Sequence, residues 1–371
     1  MLIVIAPDKF KGSLTARQVA DALADGVLTR RPDWIVRRVP VADGGDGTVA
    51  AAVAAGWQPI AVSAEGPTGE LRTAEYARSG TAAVVELAAA VGLVLLPGDR
   101  LEPLRASTFG LGTVIRHALD NGVRDIVIGL GGSASTDGGA GILQALGARI
   151  LDAEGKQIGL GGAELLRAVR VDLTGLHSAA ADTRFLLACD VDNPLRGRDG
   201  ATAVYGPQKG ANDADLRTLE SAMKNWADIV ATAIGRDLRD EPGAGAAGGA
   251  GFGALAVLGA EQRPGIDIVL ELVDFRGALD DADLVITGEG SLDVQSLNGK
   301  TPIGVATAAR EAGVPVIAVA GRSVLTQDQS TAAGFAAVHS LAELEPDLGR
   351  SMSNAAELLR TVGARIAEEF S

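Results

Sequence analysis

The chain has 371 residues, a formal net charge of −14, 47% hydrophobic and 22% charged residues, and one cysteine. That length suggests about two domains with sizeable cores, and the mixed composition excludes a disordered chain. Strong acidity without any basic run makes nucleic acid and anionic membranes poor partners, and no apolar run approaches the roughly 18 residues of a membrane helix. The start MLIVIAPDKF carries no basic leader or cleavage pattern, and Cys189 has no partner for an internal disulfide, so the expected compartment is the cytoplasm.

Leu2 to Ala6 reads as an extended strand. Ala16, Val19, Ala20, Leu23 and Val27 then recur at helical spacing behind a Thr15/Gln18 capping box, and Arg30, Arg31 and Pro32 end that helix. Trp34 to Ala42 is the next predicted strand. The middle of the chain carries predicted strands near Ala82 to Leu87, Ile126 to Gly129 and Phe185 to Val191, with helices near Phe109 to Asp120 and Asp213 to Ile234. Residues 243 to 253 are too rich in glycine and alanine for a strand and read as a loop or the approach to a helix. From Asp283 the alternation resumes: a strand to Thr287, a helix from Thr301 to Gly313, strands from Val314 to Ala320 and Ala336 to Ser340, and a closing helix from Ala355 to Phe370.

Alternation of this kind implies parallel β-α units. Neither end of the chain has enough strands for a two-faced sheet, so the expected layout is one α/β domain built from residues 1–71 and 276–371. Residues 72–275 are then an inserted α/β domain. Two sequential domains are the alternative.

Residues 129 to 141, GLGGSASTDGGAG, join a predicted strand to a predicted helix through six glycines in thirteen residues. Glycine permits close backbone approach, so several N–H groups can converge on an anion near a helix start. Ser133, Ser135 and Thr136 add hydroxyls, and Asp137 can reach a metal or a substrate hydroxyl. This is not a Walker A loop: Gly299-Lys300-Thr301 has Val294 where the first glycine is required. Gly243, Gly245 and Gly248 match a dinucleotide fingerprint but follow Arg239 to Pro242 instead of a strand, which fails its context test.

Four further polar blocks follow predicted strands, where open α/β sheets place their ligands. The first holds Asp8, Lys9, Lys11 and Ser13, a grip for a carboxylate or phosphate. Asp43 and Asp46, separated by two glycines, can converge on a metal ion or on hydroxyls. A third runs from Cys189 through Asp190 to Lys209, and a fourth from Thr287 through Gly288, Glu289, Ser291 and Asp293 to Lys300. Phosphoryl transfer accounts for this inventory, because it needs positioned substrates, cations and a carboxylate facing the attacking hydroxyl.

The runs APDKFKGSLTA, VADGGDGT, GLGGSASTDGGAG, CDVDNPLRGRDGATAVYGPQKGA, GAAGGAGFG and TGEGSLDVQSLNGKTPIGVA, spread over the whole chain, resemble the bacterial glycerate kinase family of glyoxylate and glucarate breakdown. The resemblance implies phosphorylation of D-glycerate by ATP with Mg²⁺, most directly to 2-phosphoglycerate. It also implies two α/β domains, the one built from both termini being flavodoxin-like, with the active site in the cleft between them. The chain departs from the family at Ala134-Ser135-Thr136, where Ala-Thr-Asn is common.

The roles expected from the residues are these. Lys9, Asp190 and Asp293 are catalytic, with Asp190 orienting or deprotonating the attacking hydroxyl and Asp293 its rival. Asp8, Lys11, Ser13, Lys209, Ser291 and Lys300 hold substrate. Gly131, Gly132, Ser133, Ser135, Asp137, Gly288 and Glu289 hold nucleotide, and Asp43 and Asp46 hold metal. The glycine loop at 129–141 can serve either nucleotide or glycerate. The expected assembly is a monomer or homodimer. Alternatives are a 3-kinase, a nicotinamide-dependent dehydrogenase and a non-catalytic sensor of small acids.

Overall fold

The computed structural model describes residues 1–294, 296–297 and 300–370; Gly299 of the Gly-Lys-Thr run lies outside them. The chain divides into two compact units, Met1–Asp43 with Ala50–Gly56 and Pro264–Ser371, and Gly44–Val49 with Trp57–Arg263. Among the described residues no helix is long and apolar enough to cross a membrane.

The first unit is built on a parallel sheet ordered Ala337–Ser340, Val316–Ser323, Leu284–Leu292, Leu2–Pro7, Ile35–Arg38. Numbered by position along the chain within the unit, the strands lie 2-1-3-4-5, the flavodoxin-like order, with its switch point between Leu2–Pro7 and Leu284–Leu292. Residues 2 to 7 are all buried, and the period-two alternation of a strand divides them between two cores. Ile3 and Ile5 join Val19, Leu23, Val27, Leu359, Val362 and Ile366, while Val4 and Ala6 join Ile266, Val269, Val305 and Ala309. Leu284, Ile286, Ile317 and Val319 extend the first core, and Val285, Val316 and Ala318 the second. Each large aliphatic side chain so buried contributes about 1.5–3 kcal/mol, which holds the ends of the central strands in place.

Helices at Ala16–Arg30 and Ala355–Glu369 cover one face, and those at Gly265–Leu272 and Thr301–Glu311 the other. The Thr15/Gln18 capping box opens the first of these as the sequence suggests. The strand expected over Trp34 to Ala42 is shorter, Ile35–Arg38, because it is a mostly exposed edge. Val39 and Val41 still donate to Ile5 and Pro7 carbonyls at 2.8 and 3.0 Å, carrying the chain beside the first strand toward Asp43.

The second unit holds a six-stranded mixed sheet ordered Glu261–Arg263, Arg184–Ala188, Asp125–Gly129, Ala82–Glu86, Leu71–Ser79, Gln58–Glu65. Its first four strands run parallel, and the last two form an antiparallel hairpin in which Glu65 pairs with Leu71. The border expected between residues 71 and 72 therefore falls at the start of a strand, and the whole hairpin belongs to this unit. Only Val62, Ala64, Ala74, Tyr76 and Ala77 of the hairpin's two strands are buried, so their alternation is carried mainly by small residues and reads weakly from sequence. The helix Asp213–Ile234 is capped by Asn212 and Asp215. The glycine-alanine segment is itself a helix, Ala246–Val257, entered through three consecutive left-handed residues, Ala247, Gly248 and Gly249.

Candidate active site

Pro7 pairs with Gly288 at the switch point, so Asp8 and Glu289 stand next along the two strand ends. Ligands of open α/β sheets bind beyond the carboxyl ends of the strands at this position. The Asp8 N–H donates to the Gly288 carbonyl at 2.8 Å. A Cβ on Gly288 would lie 2.0 Å from the Val319 carbonyl oxygen. Gly288, expected to contact nucleotide, is therefore also demanded by the packing of the sheet.

Asp8 is 7% exposed. Its Oδ1 accepts from the Lys9 N–H at 2.6 Å, its Oδ2 accepts from Thr301 Oγ1 at 3.0 Å, and Lys9 Nζ stands 3.9 Å from Oδ1. Burial pushes the Asp8 carboxyl up to about 6, with Lys9 opposing the rise and the charge of Asp43 adding to it. Glu289 is pushed up to about 7, again chiefly by burial; Ser296 and Lys300 oppose this, and Asp8 and Asp293 reinforce it. Its Oε1 is buried with no hydrogen-bond partner among the described residues. Lys300 occupies the N-cap of the helix Thr301–Glu311, whose positive end adds to the two lysines. The first unit thus gathers Asp8, Asp43, Glu289 and Asp293 with Lys9 and Lys300, and the charge of Asp8 and of Glu289 is costly there without a cation or a proton.

The other residues expected here are placed as follows. Ser13 Oγ donates to the Met352 carbonyl at 2.7 Å, which ties the turn after the first strand to the Leu348–Ser353 helix and occupies the expected substrate donor. Lys11 and Ser291 are exposed. Asp293 closes a turn, its Oδ1 accepting from the Ser296 N–H at 3.1 Å.

In the second unit the glycine loop leaves the strand Asp125–Gly129 as expected, but its polar side chains point inward. Asp137 is 1% exposed. Its Oδ2 accepts from Thr108 N, Thr108 Oγ1, Ser107 Oγ and Gly141 N at 2.7, 2.9, 3.1 and 3.2 Å, and its Oδ1 from Gly139 N at 3.3 Å. Burial raises its carboxyl pKa and these donors oppose the rise. The helix after the loop, Ala140–Ala145, has only six residues, and its N-terminus is already filled by an anion, the protein's own Asp137.

Lys209, Ser133 and Ser135 are buried with it. Lys209 Nζ donates to the Ser135 carbonyl and to Ser133 Oγ, the latter at 3.3 Å. Asp137, Ser133, Ser135 and Lys209, expected to hold nucleotide or substrate, here bond to one another or to neighbouring protein groups. Ala134 N–H donates to Val91 and Gly138 N–H to Gly248, so more of the loop's donors are turned inward. Only around Gly131 and Gly132 does the loop reach the surface.

Asp190 follows the strand Arg184–Ala188 and is exposed beside buried Cys189, whose thiol burial pushes up to about 11. Asn193 further on is held by Tyr205, whose hydroxyl donates to Asn193 Oδ1 at 2.6 Å. Asp43 ends the first stretch of the first unit, and Asp46 belongs to the 44–49 segment of the second. That segment is anchored by Glu86, which accepts from the Val49 N–H, a buried contact with no signature in sequence.

Among the described residues no three carboxylate, imidazole or thiol groups gather closely enough to enclose a metal. A magnesium ion is ordinarily held by one or two carboxylates together with substrate phosphates. Two oxygen donors of this kind are present in Asp8 and Asp43, whose charges oppose each other enough to help burial push Asp8 toward its neutral form, and together they would fit such an ion.

The chain is thus a two-unit α/β protein, one unit flavodoxin-like with carboxylates and lysines at its switch point, the other carrying a glycine loop over a buried lysine. Residues 3–371 match the glycerate kinase family. The chain is 46% identical over 370 residues to a glycerate kinase of Bacillus subtilis, covering 99% of this chain and 97% of that one. It is 42% identical over 377 residues to a glycerate 2-kinase of Escherichia coli, covering 99% and 98%. A solved structure from Salmonella typhimurium LT2, provisionally assigned as glycerate kinase 2, superposes with a TM-score of 0.87 at 42% identity, covering 100% of this chain and 98% of that one. The chain belongs to the glycerate kinase family and is a kinase.

Proposed function

We propose that the chain transfers the γ-phosphoryl group of ATP to the 2-hydroxyl of D-glycerate, releasing 2-phosphoglycerate and ADP. The observation that carries this reading is the switch point of the first unit, where Asp8 and Glu289 flank the central strands with Lys9 and Lys300 at hand. Lys9 and Lys300 suit the glycerate carboxylate and the transferring phosphoryl group. Glu289 suits the base that takes the hydroxyl proton, because a carboxyl titrating near neutrality balances availability against basicity. Asp190, exposed on the second unit, and Asp293 remain the rival carboxylates. Gly131 and Gly132 suit nucleotide phosphates. Magnesium, held by Asp8 and Asp43, would neutralise phosphate charge.

The 42% identity to the Escherichia coli protein named as a 2-kinase supports the 2-position over the 3-position. The test is to incubate the enzyme with ATP, D-glycerate and enolase, with and without phosphoglycerate mutase. Phosphoenolpyruvate forming without mutase is the expected result. Dependence on mutase would assign the 3-product, and no ATP consumption with glycerate would reject the reading altogether.

A further inference from the structure

Lys209 is 3% exposed, yet the two oxygens that receive its ammonium, the Ser135 carbonyl and Ser133 Oγ, are both neutral. A buried cation without a directly bonded carboxylate is costly and calls for a reason. Three things converge on it. The loop it grips is the one whose preceding residues, Gly131 and Gly132, come to the surface. Ser133 Oγ is also shared with Ser135 Oγ at 3.0 Å and with the Ala247 carbonyl at 3.2 Å, so the ammonium closes a network between the glycine loop and the left-handed entry of the Ala246–Val257 helix. The fit is tight: at Gly248, with φ +70°, a Cβ would stand 2.0 Å from the Ser135 carbonyl oxygen and 2.9 Å from Lys209 Nζ.

We propose that Lys209 is a positioning residue for nucleotide binding: its ammonium, clasped by Ser133 and Ser135, fixes the path that presents Gly131 and Gly132 to the phosphates and lays positive charge beneath them. This rests on the reading of the glycine loop as the nucleotide site. The elements packed on the ammonium are the 133–137 loop, which brings Asp137, and the 246–249 turn, which brings no titratable side chain. Burial pulls Lys209 down to about 7, with Asp137 opposing the fall, so the free enzyme carries this charge below neutrality and sheds it above. A phosphate bound over the loop favours the charged form, and nucleotide affinity therefore weakens as pH rises.

The test measures MgATP and D-glycerate binding by calorimetry on the full-length enzyme and on Lys209→Met, with circular dichroism to confirm folding. The expected result is a Kd for MgATP raised about tenfold or more, with glycerate affinity little changed. Across about pH 6 to 8.5 the wild type should lose MgATP affinity relative to the variant, a dependence that mere structural support would not produce. A rise in the glycerate Kd instead would keep Lys209 as the loop's positioning residue and overturn the nucleotide reading of the loop. Unchanged affinity for both ligands in a folded variant would overturn the proposal. Ser133→Ala keeps the lysine and removes one acceptor, so it covers the case in which Lys209→Met does not fold; it should weaken MgATP in the same sense, and an unaltered Kd would count against the clasp.

Discussion

Asp8 Oδ2 accepts a hydrogen bond from Thr301 Oγ1 at 3.0 Å, joining residues 293 positions apart in sequence. Through it the end of the first strand is tied to the start of the Thr301–Glu311 helix, and a carboxyl that burial pushes toward neutrality keeps a donor that favours its charged form. Thr301→Val preserves shape and removes that donor. Hydrogen bonds to charged groups are worth about 1.5–3 kcal/mol, so kcat/KM for glycerate should fall by roughly tenfold or more, with the acid limb of the pH profile moving to higher pH. Steady-state kinetics across pH would show it, and an unmoved limb would detach Thr301 from the site.

Asp8→Asn should trade activity for stability. The folded carboxyl titrates at about 6 against an ordinary 3.8, so the folded state prefers the proton. The corresponding stability is present below 3.8 and lost as pH rises through 6; above that the ionised group is a cost. Asn removes the cost, which is on the order of 3 kcal/mol. Calorimetric melting of the ligand-free protein should show the variant a few degrees more stable at pH 8 and level with wild type near pH 4, with turnover nearly abolished. Equal melting at both pH values would contradict the burial argument.

Glu289→Gln should lower kcat by roughly 10²–10⁴-fold, the range of general-base contributions, while leaving the fold intact. A base must be ionised to work, so wild-type kcat/KM should decline as pH falls through about 7, and the variant's residual rate should not follow that decline. Asp190→Asn supplies the comparison. Should it, and not the Glu289 variant, lose turnover, the base lies on the second unit.

Asp137→Asn attacks structure instead of chemistry. Five hydrogen bonds converge on the carboxylate, and the amide would turn an NH₂ toward groups that are donors themselves. Leaving such buried groups unsatisfied costs about 3 kcal/mol, a fall in Tm of roughly 6–12 °C. Differential scanning calorimetry decides it, since an unchanged Tm would mean that the network is dispensable.

Much of this was legible before any coordinates. Strand and helix alternation at both ends of the chain led to a sheet assembled from both termini, because buried parallel strands such as Leu2–Pro7 are continuous apolar runs. The polar blocks after strands marked Asp8, Lys9 and Glu289 for the same topological reason. What stayed hidden was direction. Ser133, Ser135 and Asp137 have the composition of a phosphate cradle, and nothing in their spacing says that they turn inward toward Lys209 and the 107–108 segment. The hairpin Gln58–Glu65 and Leu71–Ser79 escaped because its buried face is mostly alanine, valine and one tyrosine. The burial of Glu289 was equally hidden, since burial of a carboxylate is a property of the assembled sheet and leaves no local signature.

One interior strand of the first unit imposes an order on synthesis. Leu2–Pro7 emerges from the ribosome well before its neighbour Leu284–Leu292, which is translated about 280 residues later, some 15–60 s at ordinary elongation rates. For that interval an apolar six-residue strand has one edge unpaired, while residues 57–263 already contain every strand of their own sheet. The nascent chain thus completes its later-starting unit before its earlier one. Its N-terminal strand is the segment most in need of chaperone cover during translation.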